Sequence, residues 1–162
     1  GRKSLVEDSL LDTCRTLIHT IQKHTKKIIL PTDFQVAHNS IDGSLSYTDS
    51  IQPNQIGISI GPKTVSMIEH HISTSQMVFF NGAIGFLDKP HTLDGIKKIF
   101  TAMSTLKGTS VIAGGDSVAA LNQLEIKGIN ATIEGGGSAL AYLAGDTLPG
   151  LIPFLENRAK PN

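Results

Sequence analysis

Three glycine-rich turns carry the residues of this sequence best suited to chemistry. They are Asn81-Gly82-Ala83-Ile84-Gly85, Ala113-Gly114-Gly115-Asp116-Ser117 and Gly135-Gly136-Gly137-Ser138. Each follows a short apolar run and precedes a helical pattern or a loop. In an open α/β sheet such turns lie at the carboxyl ends of the strands, where ligands bind. A helix start leaves backbone N–H groups without partners and carries the positive end of the helix dipole. Glycine lets an anion approach that backbone closely. One Gly-Gly turn alone is weak evidence, because tight turns use the same residues. Three at successive strand ends point to a polyphosphate site that needs little help from lysine. Asp116 has two readings. A carboxylate beside phosphate serves as a magnesium ligand; aspartate also caps helices well.

Other chemistries lack their residues. There is no Gly-x-x-x-x-Gly-Lys-Ser/Thr loop, and no Gly-x-Gly-x-x-Gly opens the first helix. That second absence argues against a dinucleotide-binding protein. His70 and His71 are helix neighbours that point in different directions, a poor metal pair. The histidines are expected at the surface. Lys plus Arg is 14 and Asp plus Glu is 14, so neither nucleic acid nor an anionic membrane is an expected partner. Cys14 is the single cysteine, and it is expected as a small core residue on a helix. No apolar run approaches the ~18–20 residues of a membrane helix, so a soluble protein is expected.

The elements that must position these turns alternate. Leu10, Leu11, Cys14, Leu17, Ile18 and Ile21 share one helical face. Ile28–Leu30 predicts a buried strand, with a short extension at Phe34–Ala37. His38 to Asn54 is polar and patternless, and predicts a surface excursion. Strands are expected at Ile56–Ile60, Met77–Phe80, Ser110–Ala113 and Ala131–Ile133. Helices are expected from Pro62 to about His71, at Thr92–Ser104, Ser117–Gln123 and Ser138–Ala144. Leu148-Pro149-Gly150 turns into a short closing helix. Short, continuous apolar strands alternating with helices predict a parallel sheet covered on both faces.

In order along the chain, Leu30-Pro31-Thr32-Asp33-Phe34, Ile60-Gly61-Pro62-Lys63-Thr64, Asn81-Gly82-Ala83-Ile84-Gly85-Phe86, Gly114-Gly115-Asp116-Ser117 and Gly135-Gly136-Gly137 resemble the successive signatures of phosphoglycerate kinases. Leu148-Pro149-Gly150 looks like that family's closing motif. Ser4-Leu5-Val6-Glu7-Asp8 looks like a segment of its C-terminal domain. The resemblance implies a three-layer, doubly wound, Rossmann-like parallel sheet. Residues 1–162 would be a partial C-terminal nucleotide-binding domain. It further implies a cytoplasmic, monomeric parent enzyme that moves a phosphoryl group between 1,3-bisphosphoglycerate and ADP, with magnesium as cofactor. The N-terminal domain, which binds 3-phosphoglycerate and 1,3-bisphosphoglycerate, would be absent. So would the glycine-rich segment with the nucleotide-contacting lysine. A chain of this extent is expected to bind ADP or ATP without transferring phosphate.

The resemblance also assigns roles. Gly57 and Ile58 line the adenine pocket. Asn81 and Gly82 lie near the phosphates and the base edge. Asp88 stands where the family has a glutamate holding the ribose hydroxyls. Gly114, Gly115 and Ser117 form the helix start that faces the phosphates, and Asp116 matches the magnesium-binding aspartate. Gly115, Gly136 and Gly137 are the catalytic backbone positions, whose N–H groups stabilise the phosphoryl in flight. Six residues depart from the pattern. Ala83 replaces proline, Ala113 glycine, Ser59 aspartate, Asp88 glutamate, Ala131 histidine and Glu134 threonine. The departures at Ser59, Asp88, Ala131 and Glu134 motivate the alternative of a non-catalytic nucleotide-binding or interaction module.

Overall fold

The computed structural model describes residues 4, 7–23, 28–82 and 84–146. The expectations for Leu5, Val6, Ala83 and the closing motif at Leu148-Pro149-Gly150 lie outside the described residues. The fold is α/β and carries two three-stranded sheets. The chain divides into two compact units. One comprises residues 1–70 and 84–96, the other 71–83 and 97–162.

The first unit holds an antiparallel sheet. Its strands are β1 (Phe34–His38), β2 (Leu45–Thr48) and β3 (Gln55–Ile60), in the order β2-β1-β3. This corrects the expectation that the strands share a parallel sheet: β1 pairs antiparallel with both neighbours. The predicted surface excursion is half of a hairpin. Leu45 faces Ala37 and Thr48 faces Phe34. Residues 39–44 form the connection, in which Gly43 N–H donates to the Ser40 carbonyl and His38 N–H to that of Ser44. Val36 and Ala37 are fully buried. Ile28–Leu30, predicted as a buried strand, forms no strand, and its three side chains are exposed. An apolar run needs a hydrogen-bonding neighbour to become a strand, and none of the described strands pairs with it.

The first helix, α1 (Leu11–Gln22), forms where the three-four spacing places it. Its apolar face is not buried, however. Leu11 is 41%, Leu17 53% and Ile18 50% exposed. Cys14 is exposed too, correcting its assignment to a core. Helix α2 (Pro62–Ser73) starts with proline in its first turn, where the missing N–H costs nothing.

The second unit carries the parallel sheet: β4 (Met77–Asn81), β5 (Thr109–Ala113) and β6 (Ala131–Ile133), in that order. Between β4 and β5 runs α3 (Asp94–Ser104). Its predicted stripe is the best-buried in the molecule: Ile96, Ile99, Phe100 and Met103 are each at most 1% exposed. Each such side chain contributes roughly 1.5–3 kcal/mol by leaving water. Phe80 and Phe100 meet edge to face, ring centroids 5.1 Å apart. Helices α4 (Gly115–Gln123) and α5 (Gly136–Leu143) follow β5 and β6. No described helix is long and apolar enough to cross a membrane.

Candidate functional site

The register of the parallel sheet brings the three glycine turns together. Asn81 at the end of β4 faces Ala113 at the end of β5. Ala113 in turn faces Ile133 at the end of β6. The turns therefore begin side by side at the carboxyl ends of the three strands. Gly114 N–H donates to the Ile133 carbonyl at 2.8 Å, extending the pairing one residue beyond the strands.

Close approach then depends on missing side chains. A β-carbon at Gly136 would lie 2.7 Å from Gly114 Cα, 3.0 Å from Gly114 N and 2.9 Å from Asn81 Oδ1. A β-carbon at Gly114 would lie 2.9 Å from the same Asn81 oxygen, and φ there is +97°. The first two contacts are with backbone, which cannot rotate away, so alanine at Gly136 would push the turns apart. Ser117 fastens the remaining turn. It is 2% exposed, and its hydroxyl donates to the Gly82 carbonyl at 2.5 Å. The Ser117 hydroxyl is thus committed within the protein.

Both helices that leave these turns lack a side-chain cap. The N-cap of α4 is Gly114 and that of α5 is Gly135, and neither has a side chain to satisfy the first-turn amides. A β-carbon at Gly115 or at Gly137 would meet nothing within 4 Å, so the backbone there is open to an approaching group. Gly136 differs from the other two expected catalytic positions. It is buried, and its N–H donates to the Glu134 carbonyl at 3.0 Å. Its part is to permit the close packing, while Gly115 and Gly137 present open backbone.

The two readings of Asp116 separate here. It lies within the first turn of α4, one residue past the helix start, and it is exposed. The N-cap place is taken by Gly114, so Asp116 does not cap the helix. An exposed carboxylate such as that of Asp116 is the one group in these turns that could hold a magnesium ion, which would take its other ligands from phosphate and water. Among the described residues no group of three or more His, Cys, Asp or Glu forms a metal cluster. The turns contain no Lys or Arg; their one ionisable side chain, Asp116, and that of Glu134 directly before the third turn are both acidic.

The other expected site residues belong to the first unit. Gly57 and Ile58 lie on β3. The face of Gly57 where a β-carbon would project is covered by Ile51 Cδ1 at 3.1 Å and Ser4 Oγ at 3.7 Å. Ser4 Oγ also accepts the Gly57 N–H at 3.0 Å, and Ile58 is only 8% exposed. Asp88 stands exposed at the corner of a tight turn in which Phe86 pairs with Lys89. Thr92 pins that turn, accepting the Phe86 N–H at 2.8 Å and donating to the Lys89 carbonyl at 2.7 Å. Lys89 forms an ion pair with Asp42.

Sequence reasoning missed the role of Asp33. Its carboxylate, 2% exposed, accepts the N–H groups of Lys63 at 2.9 Å and Thr64 at 2.8 Å and the Thr64 hydroxyl at 2.6 Å. It caps α2 from thirty residues away, a separation no local pattern reports. Burial pushes this carboxyl up. The Thr64 hydroxyl, the Lys63 and Thr64 amides and the Lys63 charge outweigh burial, and hold it below its ordinary value of 3.8. The histidines divide. His19, His70, His71 and His91 are exposed, while His38 is half-buried and hydrogen-bonded to Ser46 Oγ at 2.8 Å.

Comparison with known proteins places these features in one family. The family model described as phosphoglycerate kinase matches residues 1–146. The phosphoglycerate kinase of Borrelia duttonii is 34% identical over 153 residues, covering 92% of this chain and 39% of its own length. That of Borreliella burgdorferi is 35% identical over 159 residues, covering 96% and 40%. The solved phosphoglycerate kinase of Coxiella burnetii superposes with a TM-score of 0.84 at 25% identity, over 98% of this chain and 42% of that one. This chain therefore spans about two fifths of the length of the relatives it matches. It belongs to the phosphoglycerate kinase family.

Proposed function

We propose, with that membership as the premise, that this chain is the nucleotide-binding part of a phosphoglycerate kinase. It would be a partial C-terminal domain whose β4–β6 are one half of a larger doubly wound sheet. One observation carries the reading: two uncapped helix starts, α4 and α5, lie against each other through Gly114 and Gly136. Such paired helix starts suit the phosphates of ADP or ATP.

In this reading the start of α4 at Gly115 and Asp116, both exposed, binds the phosphates. Gly137 offers its N–H to the phosphoryl group during transfer between ADP and 1,3-bisphosphoglycerate. Ser117 holds the turn after β4 in place through Gly82. Asn81 fixes the spacing of the two glycine turns. Asp116 would hold magnesium, which supplies charge neutralisation for the polyphosphate. A domain not contained in this chain would bind 3-phosphoglycerate, and its closure onto the nucleotide would complete the site. The chain by itself binds nucleotide and does not turn over.

Titration with ADP, with and without magnesium, tests the reading. Saturable binding that requires magnesium and weakens at least tenfold in Asp116→Ala is expected. Magnesium-independent binding that the substitution leaves unchanged would overturn it. A second reading, a non-catalytic anion-binding module, is favoured by one observation. Ile51 and Ser4 cover Gly57, one of the two residues expected to line the adenine pocket, where a β-carbon would project. Under that reading inorganic pyrophosphate and ADP would bind equally well.

A further inference from the structure

Glu134 occupies an unusual place. It immediately follows β6, and its carbonyl receives the N–H of Gly136, the residue packed against Gly114 and Asn81. The residue before it, Ile133, receives the N–H of Gly114. Its backbone is therefore held from both sides at the point where the turns converge. Its side chain is exposed, and no ion pair or side-chain hydrogen bond among the described residues engages its carboxylate. The same turns hold no cationic side chain to offset it. An exposed carboxylate without a partner among the described residues thus branches from the backbone that immediately precedes the third glycine turn.

Resting on the nucleotide-site reading above, we infer that Glu134 makes the site selective for the magnesium-bound form of its polyphosphate over the metal-free form. A carboxylate repels a bare polyphosphate in proportion to the charge that polyphosphate carries. A divalent cation cancels much of that charge, so the complexed ligand feels the repulsion far less. Glu134 acts as a charge filter, a role distinct from that of Asp116, whose carboxylate the cation would bridge to phosphate.

The test uses the full chain, its Glu134→Gln variant, which keeps the shape without the charge, and Glu134→Asp, which keeps the charge. ADP is titrated in EDTA and again in excess magnesium. In Glu134→Gln the metal-free affinity should rise about fivefold, the size of one like-charge contact at ~4 Å screened by bulk water. The magnesium-complex affinity should change less than about twofold, and the metal-free gain should shrink as salt is raised. Glu134→Asp should keep the wild-type ratio of the two affinities. Equal changes in both affinities, or no gain without metal, would overturn the inference and leave the site reading standing. Failure of wild type and variant to bind ADP under either condition would overturn both.

Discussion

Helix α2 begins beneath a buried carboxylate, whereas α4 and α5 begin beneath glycine alone. At α2, Asp33 takes two backbone amides and a hydroxyl, and it is sealed from solvent. At α4 and α5 the N-cap residues are Gly114 and Gly135, and β-carbons at Gly115 and Gly137 would enter open space. All three helices follow a strand and a glycine. The difference is whether the protein spends its own anion on the helix start. Where it does, the start is part of the core. Where it does not, the first-turn amides have no side-chain cap.

Removing the internal anion should have the largest effect. Asp33→Ala leaves buried donors of Lys63 and Thr64 without their acceptor. It should cost about 3 kcal/mol, which lowers Tm by roughly 6–12 °C in a chain of this size. A loss under about 1 kcal/mol in denaturant unfolding would erase the contrast between the two kinds of helix start.

The same carboxylate sets a pH dependence. Its folded value is below its ordinary one, so its stabilisation is present above about 3.8 and is lost as pH falls through the lower folded value. The stability gap between wild type and Asp33→Ala should narrow in that acid range and stay constant from there to neutrality. A gap that widens on acidification would reverse the assigned sign.

Gly136→Ala should come next. Its β-carbon meets Gly114 backbone, so the variant should lose about 1–3 kcal/mol and bind magnesium–ADP at least tenfold more weakly. Gly137→Ala sharpens the comparison. Its β-carbon meets no protein atom, so stability should stay level or rise by up to ~1 kcal/mol from helix propensity, while nucleotide affinity falls. Unchanged affinity in Gly137→Ala would remove α5 from the phosphate site.

The smallest effect is expected at Ser59. Its Oγ is buried with no hydrogen-bond partner among the described residues. Ser59→Ala should therefore leave stability unchanged or raise it by about 1 kcal/mol. A clear loss in thermal unfolding would mean that the hydroxyl has a partner.

The parallel half of the fold was legible because each of its elements announces itself locally. Ile96, Ile99, Phe100 and Met103 recur at helical spacing, and all four are buried. The turns after Asn81, Ala113 and Ile133 were legible as turns, because glycine interrupts the apolar run there. The antiparallel sheet was not. Leu45-Ser46-Tyr47-Thr48 is short, polar on alternate residues and at a sheet edge, so its apolar signal is thin. The Asp42-Gly43 pair ahead of it was the available hairpin signal. Ile28–Leu30 and the apolar face of α1 misled in the opposite direction. Periodicity reports that a segment is apolar on one side and says nothing of what covers it; here those side chains are exposed. Asp33 shows a third limit, since its partners lie thirty residues further along the chain.

One oxygen, Asn81 Oδ1, stands 2.9 Å from where a β-carbon would sit at both Gly114 and Gly136. The three positions are therefore coupled in the side chains they tolerate. A side chain gained at Gly114 meets an obstacle that belongs to Asn81, and one gained at Gly136 meets that obstacle and Gly114 as well. The order in which changes accumulate then matters. Loss of the Asn81 amide relieves part of the crowding at both glycines, whereas a side chain acquired first at either glycine is penalised at once. A lineage drifting away from this site would be expected to surrender the asparagine before the glycines.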